Sequence, residues 1–201
     1  MQKASRIILG IDPGTLVMGY GLIAVSKNSV SLLEMGVLQL SKHDDHAERL
    51  KLIYKKIETL IKIHQPEAVA IEAPFYGKNA QSMLKLGRAQ GVAIASAMMH
   101  GLPTTEYAPR KIKQSITGRG NASKEQVLEM LQHTLKFEGD VRFMDATDAV
   151  AVALTHYYQE KVPKGNAEVN DKIKKTLGVG KKKESWESFI ATNPNRVNKK
   201  R

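Results

Sequence analysis

The chain predicts an α/β protein built on a mixed five-stranded sheet flanked by helices, and three observations carry that prediction. Residues 6–12, 18–26 and 30–40 are apolar runs joined by links too short for a crossover, which makes them an antiparallel meander. Between 46 and 64, Leu50, Ile53, Ile57, Leu60 and Ile61 recur at helical spacing. Two further strand-like runs, 67–72 and 104–108, then alternate with helical stretches.

Each element has a local cause. Strand 6–12 ends in Asp12-Pro13-Gly14, where Pro fixes φ and Asp bonds nearby backbone, and Asn28-Ser29 supplies the turn between the second and third strands. The polar stretch His43-Asp44-Asp45-His46 has metal-capable side chains but reads as solvated capping sequence for the first helix, which stops before Pro66. Glu72 closes the buried-type run Ala68-Val69-Ala70-Ile71 just before Ala73-Pro74. The second helix, 81–99, is rich in small residues: Gly87, Ala89, Gly91, Ala93, Ala95, Ser96 and Ala97. Helices then start at Pro109, Ser123 and Asp145. Ser123-x-x-Gln126 is a capping box ahead of Val127, Met130 and Leu131. Asp145-x-x-Asp148 likewise reads as an N-cap followed by an acid at N3, opening the apolar helix from Ala149 to Leu154.

Asp12 and Glu72 both end apolar strands, and Asp145 and Asp148 share one helical face. Each acid alone is ordinary turn, strand-end or cap chemistry. Together, at about 6 Å and an effective dielectric near 20, each pair would repel by roughly 3 kcal/mol, so six pairs approach the stability of a whole domain. Protons or cations must neutralise such a cluster, and a pair of divalent cations held by carboxylates is a common means of breaking phosphodiesters. That pattern reads as a nuclease.

Composition agrees with a nucleic-acid partner. The 201 residues, 42% hydrophobic, suit one domain plus an extension. Cysteine is absent, which excludes disulfides and thiolate metal sites and fits a reducing compartment. The start lacks a signal peptide's apolar stretch and no apolar window reaches membrane-spanning length, so a bacterial-type cytoplasmic enzyme is expected. Of the net charge of +11, residues 161–201 carry +8 (12 Lys and Arg against 4 Asp and Glu). Residues 1–160 are therefore expected to form the nuclease domain and 161–201 a basic, disordered tail in which Trp186, Phe189 and Ile190 form a small apolar cluster.

Several motifs in order resemble the RuvC-type Holliday junction resolvases: Gly10-Ile11-Asp12-Pro13-Gly14-Thr15 with Gly19-Tyr20-Gly21; Ala70-Ile71-Glu72 with Phe75 and Lys78-Asn79-Ala80; Leu84-Lys85-Leu86-Gly87-Arg88-Ala89; and Asp145-Ala146-Thr147-Asp148-Ala149 with Thr155-His156. The resemblance runs from about Ile7 to His156. It implies a ribonuclease H-like fold, with Asp12, Glu72, Asp145 and Asp148 as catalytic residues holding two Mg²⁺ ions per site, Mn²⁺ being able to substitute. One ion would activate water and the other would stabilise the leaving oxygen. It also implies a homodimer that cuts two opposed strands of a four-way DNA junction, working with a branch-migration motor.

Five further residues are DNA-binding candidates. Phe75 stands in a loop three residues after Glu72, available for stacking on an unpaired base; a core plug is the competing role, and the resemblance favours the junction centre. Lys78, Lys113, Arg119 and Lys124 can pair phosphates, although scattered cations usually form only a solvated face; Lys113 and Lys124 match basic positions of the resembled family near the scissile strand. Arg119 belongs to Gly118-Arg119-Gly120-Asn121, a loop that would lie along the backbone or merely connect helices. His156 is read as structural.

Three other classes of protein share part of this pattern. Actin-like ATPases open with a similar strand and turn but need a larger two-lobed chain. A ribonuclease H-like nuclease acting on RNA would share the acids, and a non-catalytic junction- or DNA-binding protein would keep them as caps.

Overall fold

A computed structural model describes residues 6–27, 29–74, 79–138 and 144–161. The expected tail, Phe75 and Lys78 lie outside the described residues. The meander is β1 (Arg6–Asp12), β2 (Val17–Val25) and β3 (Val30–Gln39); α1 (His46–His64), β4 (Ala68–Glu72), α2 (Ala80–Met99) and β5 (Thr104–Tyr107) follow, then α3 (Pro109–Thr117), α4 (Lys124–Leu135) and α5 (Met144–Lys161).

The sheet order is β3-β2-β1-β4-β5. The meander pairs antiparallel, while β4 pairs parallel to β1 and β5 parallel to β4. This mixed sheet, with helices on both faces, is the predicted ribonuclease H-like architecture. Buried residues of α1 and α2 form one core with Leu9, Ile11, Val69 and Ile71; those of α3, α4 and α5 form another with Ile8, Ile23 and Ala70. Strand alternation explains the division, since successive side chains of one strand face opposite layers.

Local signals act as the sequence indicates. Asp45 caps α1, accepting from the backbone N–H groups of Ala47 and Glu48, so the His43–His46 stretch is capping sequence. Ser123 and Gln126 form the complete capping box of α4. Asn79 caps α2 through the Ser82 N–H. One expectation is corrected: α5 is already helical at Met144, so Asp145 is its second residue and not its N-cap. An N-cap requires non-helical backbone, which Asp145 does not have.

The feature that positions the site is the seat of α5. A Cβ on Gly10 would stand 2.0 Å from the Ala149 carbonyl oxygen, one on Gly19 1.9 Å from that of Asp145, and one on Gly21 2.5 Å from Val150 Cγ2. Glycine at these three places lets the helix lie directly on the backbone of β1 and β2. Consistent with that depth, α5 is buried nearly all round from Ala146 to Tyr157.

His156 is structural, as predicted. Its Nδ1 lies 2.9 Å from the Tyr107 hydroxyl and its Nε2 3.3 Å from Glu160, whose two carboxylate oxygens accept from the Arg6 guanidinium at 2.6 and 2.7 Å. The chain of contacts ties the start of β1 to α5 and the end of β5. Burial lowers the His156 pKa despite the neighbouring carboxylate.

Candidate active site

Parallel pairing of β1 and β4 carries Ile11 opposite Ile71, so the next residues, Asp12 and Glu72, emerge side by side at the C-terminal ends of two neighbouring interior strands. Asp12 is also opposite Gly19, the residue on which the first turn of α5 rests. The glycine seat thus brings the Asp145 and Asp148 face to the end of β1. Asp12, Asp145 and Asp148 each offer an oxygen within 4.8 Å of the others'. Glu72 is not one of that closest trio; it joins Asp12 and Asp148 along the wall of a shared cavity of about 370 Å³.

The electrostatics follow from this crowding. Burial, then the charges of Glu72, Asp148 and Asp145, push the Asp12 carboxyl up to about 8, with Lys124 opposing. Glu72 rises to about 7, through burial and then Asp148, with Lys124 and Lys113 pulling it back. Lys124 Nζ donates to Asp148 Oδ2 at 2.6 Å, and this bond raises the lysine's own pKa. Like charges are thus held together in a half-buried place, with Lys124 and, for Glu72, also Lys113 against them. An all-oxygen donor set of this kind suits a hard divalent cation, whose charge would remove the repulsion that raises Asp12.

Of the other predicted residues, Lys113 on α3 and Lys124 at the start of α4 line the same cavity as the acids. Arg119 does not line it: this residue is exposed in the turn after α3, where its backbone N–H and carbonyl both bond the Thr117 hydroxyl. Glycine at 118, with φ of 76°, ends α3 and turns the chain there.

Two contributors escaped the sequence reading. Arg49 on α1 donates to the carbonyls of His43 at 2.5 Å and Thr15 at 3.1 Å, clamping the turn that follows Asp12. Gln90, 7% exposed on α2, donates to Glu106 on β5 at 2.5 Å and lines a second, smaller cavity beside Asp12 and Glu72. The available signal was a long amide among the inward-facing Ala89, Ala93, Ser96 and Ala97.

Comparison with known proteins places this arrangement. Residues 8–156 match the family model of crossover junction endodeoxyribonuclease RuvC. The crossover junction endodeoxyribonuclease RuvC of Cytophaga hutchinsonii is 53% identical over 98% of this chain and 90% of its own length. That of Christiangramia forsetii is 49% identical over 97% and 94%. The structure of Thermus thermophilus RuvC in complex with a Holliday junction substrate superposes with a TM-score of 0.73 at 32% identity, covering 78% of this chain and 95% of that one. With the family motifs, the mixed sheet and the acid cluster all in agreement, the chain belongs to the RuvC family of crossover junction endodeoxyribonucleases.

Proposed function

We propose that this protein resolves Holliday junctions by hydrolysing phosphodiesters on two opposed strands, with Asp12, Glu72, Asp145 and Asp148 as the catalytic acids. The observation that carries the reading is that Asp12, Glu72 and Asp148, from β1, β4 and α5, line one cavity with Lys113 and Lys124, while Asp145 has an oxygen within 4.8 Å of those of Asp12 and Asp148. An RNA substrate or a purely DNA-binding role has no comparable support, because the family match spans the catalytic domain.

The four acids would hold divalent cations, two per site, with Mg²⁺ the expected ion and Mn²⁺ its substitute. When bound, the pair would supply an activated water and charge stabilisation at the leaving oxygen. The chain's own residues do the rest. Asp12 and Glu72 are fixed by strand pairing and Asp145 and Asp148 by the seat of α5, so their spacing is set before substrate arrives. Lys113 and Lys124 place positive charge where a phosphate would approach, and Lys124 can exchange its Asp148 partner for a phosphate oxygen. Phe75 and Lys78, just beyond Glu72, are proposed to engage the junction centre, and Arg119 the flanking backbone.

Cutting opposed strands calls for two sites related by twofold symmetry, hence a homodimer. The outer face of α2 supports it. Ala89, Ala93, Ser96 and Ala97 pack inward, but Gly87 and Gly91 face open space, with Leu84 58% and Met98 63% exposed. Half of the small-residue stripe is therefore internal packing and half is a surface on which a second helix could approach closely. Work with a branch-migration motor and a cytoplasmic location belong to the same reading; none of the described helices is long and apolar enough to cross a membrane. A boundary near residue 160, with a basic tail as a sequence-blind DNA tether, completes it.

The test incubates the purified full-length chain with a synthetic four-way junction and a linear duplex of the same sequence, with Mg²⁺ or with chelator. Paired nicks on opposite junction strands, absent from the duplex and from the chelated reaction, are expected. Equal cutting of duplex, or cutting in chelator, would reject the proposal.

A further inference from the structure

β5 is four residues long, lies at the edge of the sheet and pairs only with β4. Its last residue, Tyr107, stands opposite Glu72, and the Tyr107 carbonyl accepts the N–H of Ala73 at 2.9 Å. The chain then leaves the sheet for α3 at Pro109, which places this bond at the very end of the β4–β5 pairing. A short edge strand opens more easily than an interior one, so the backbone beside Glu72 is fixed only as well as Tyr107 itself is fixed.

The side chain of Tyr107 supplies a second attachment, on the helix that carries the other acids. Its hydroxyl lies 2.9 Å from His156 Nδ1 on α5, and the two rings meet edge to face with centroids 5.9 Å apart. The direction of the bond follows from the other ring nitrogen. The Arg6 guanidinium lowers the pKa of Glu160, whose carboxylate therefore only accepts, and His156 Nε2, 3.3 Å away, carries the proton. Burial keeps the His156 ring neutral, leaving Nδ1 as an acceptor; burial and then the Glu160 charge raise the Tyr107 pKa, keeping its hydroxyl a donor. Tyr107 thus donates to a residue about two turns beyond Asp148 on the same helix. A closed circuit runs from Asp148 along α5 to His156, across to Tyr107, and through its carbonyl to the strand end that bears Glu72. The paired bonds of Arg6 to Glu160 brace it from the start of β1.

We propose that Tyr107, held by His156, is a positioning residue for Glu72: it fixes the strand-borne acid against the helix-borne Asp145 and Asp148, and so sets the affinity of the site for divalent cation. Neither Tyr107 nor His156 lines the cavity that the acids share. Their influence passes through backbone and helix. The inference rests on the resolvase reading of those acids.

The experiment compares the full chain with Tyr107→Phe, His156→Gln and His156→Asn. Mn²⁺ binding to each free protein is read from the loss of the free ion's paramagnetic resonance signal. Single-turnover cleavage of a four-way junction over a Mn²⁺ series, junction affinity in chelator and melting temperature in chelator complete the set. Tyr107→Phe keeps the ring and loses only the donor. In His156→Asn the amide oxygen stands where Nδ1 stood, one bond from Cγ, and can still accept from Tyr107; in His156→Gln the amide reaches toward Glu160 and that acceptor is gone. Tyr107→Phe and His156→Gln should weaken Mn²⁺ binding, and raise the Mn²⁺ concentration for half-maximal cleavage, by roughly two- to tenfold, the range for loss of one hydrogen bond. His156→Asn should stay closer to wild type, and junction affinity in chelator should be unchanged in all three. Variants that melt earlier but keep the wild-type Mn²⁺ dependence would make the contact a packing feature and overturn the positioning role alone. So would a His156→Asn loss equal to that of His156→Gln. Wild type that neither binds Mn²⁺ nor cuts the junction would overturn the resolvase reading and the positioning role with it.

Discussion

Asp12→Asn separates the stability of this fold from its chemistry, and the structure fixes both sign and size. Asp12 rises from 3.8 to about 8, chiefly by burial and then by the charges of Glu72, Asp148 and Asp145. At ~1.36 kcal/mol per pH unit, that displacement of about four units sets an upper bound near 5 kcal/mol for ionising Asp12 in the fold. Titration shared with Glu72, which also rises, reduces the expected net to about 2–4 kcal/mol. The sign follows from the folded state binding the proton more tightly than the unfolded chain. The stability from this group is fully present below pH 3.8 and is lost as pH rises toward about 8. Asparagine cannot ionise and escapes that loss. Urea denaturation in chelator should therefore find Asp12→Asn equal to wild type near pH 4 and more stable by about 2–4 kcal/mol at pH 9. Adding Mg²⁺ should reverse the order, because ligation stabilises wild type by RT ln(1 + [L]/Kd) and the variant far less. A variant no more stable than wild type at pH 9 in chelator would refute the claim that the acids are mutually repelling and desolvated.

Three further outcomes are expected. Gly19→Ala forces a methyl against the Asp145 carbonyl, so it should destabilise by about 1–3 kcal/mol in chemical denaturation and raise the Mn²⁺ concentration needed for cleavage; unchanged values for both would show that the glycine seat does not set α5. Phe75→Ala should lose roughly 1–3 kcal/mol of base stacking and cut junctions poorly at an unaltered melting temperature, whereas a markedly lower melting temperature would make Phe75 a core residue. Truncation after Lys161 should weaken binding to duplex and junction by similar factors and flatten the plot of log affinity against log salt, since the removed residues 162–201 carry +7 (11 Lys and Arg against 4 Asp and Glu); loss of junction selectivity alone would assign shape recognition to the tail.

Much of the fold was legible because its local signals are strong. The periodicity of Leu50, Ile53, Ile57, Leu60 and Ile61 set α1 to the residue, and the Ser123 capping box set the start of α4. Short links made the meander antiparallel, and the acids at strand ends and on one helical face pointed to a shared site. What stayed hidden depends on tertiary proximity, which periodicity does not encode. Gly10, Gly19 and Gly21 were visible as glycines, but their reason is a helix more than a hundred residues later. Lys124 was legible as a cation near the site, not as the partner of Asp148. Asp145 satisfied the cap pattern in sequence, yet α5 starts one residue before it. Gln90 gave no motif, since its role comes from a partner on β5 and a cavity formed by three separate segments.

The measurement that tests the central claim most directly is cleavage and binding of one synthetic four-way junction by Asp12→Asn, Glu72→Gln, Asp145→Asn and Asp148→Asn beside wild type in Mg²⁺. Four carboxylates that act as one metal-holding unit predict that each substitution abolishes cutting while junction affinity is kept or tightened, because a negative charge near phosphate is removed. Near-normal cutting by the Asp12 or Glu72 variant, with junction binding intact, would contradict the account.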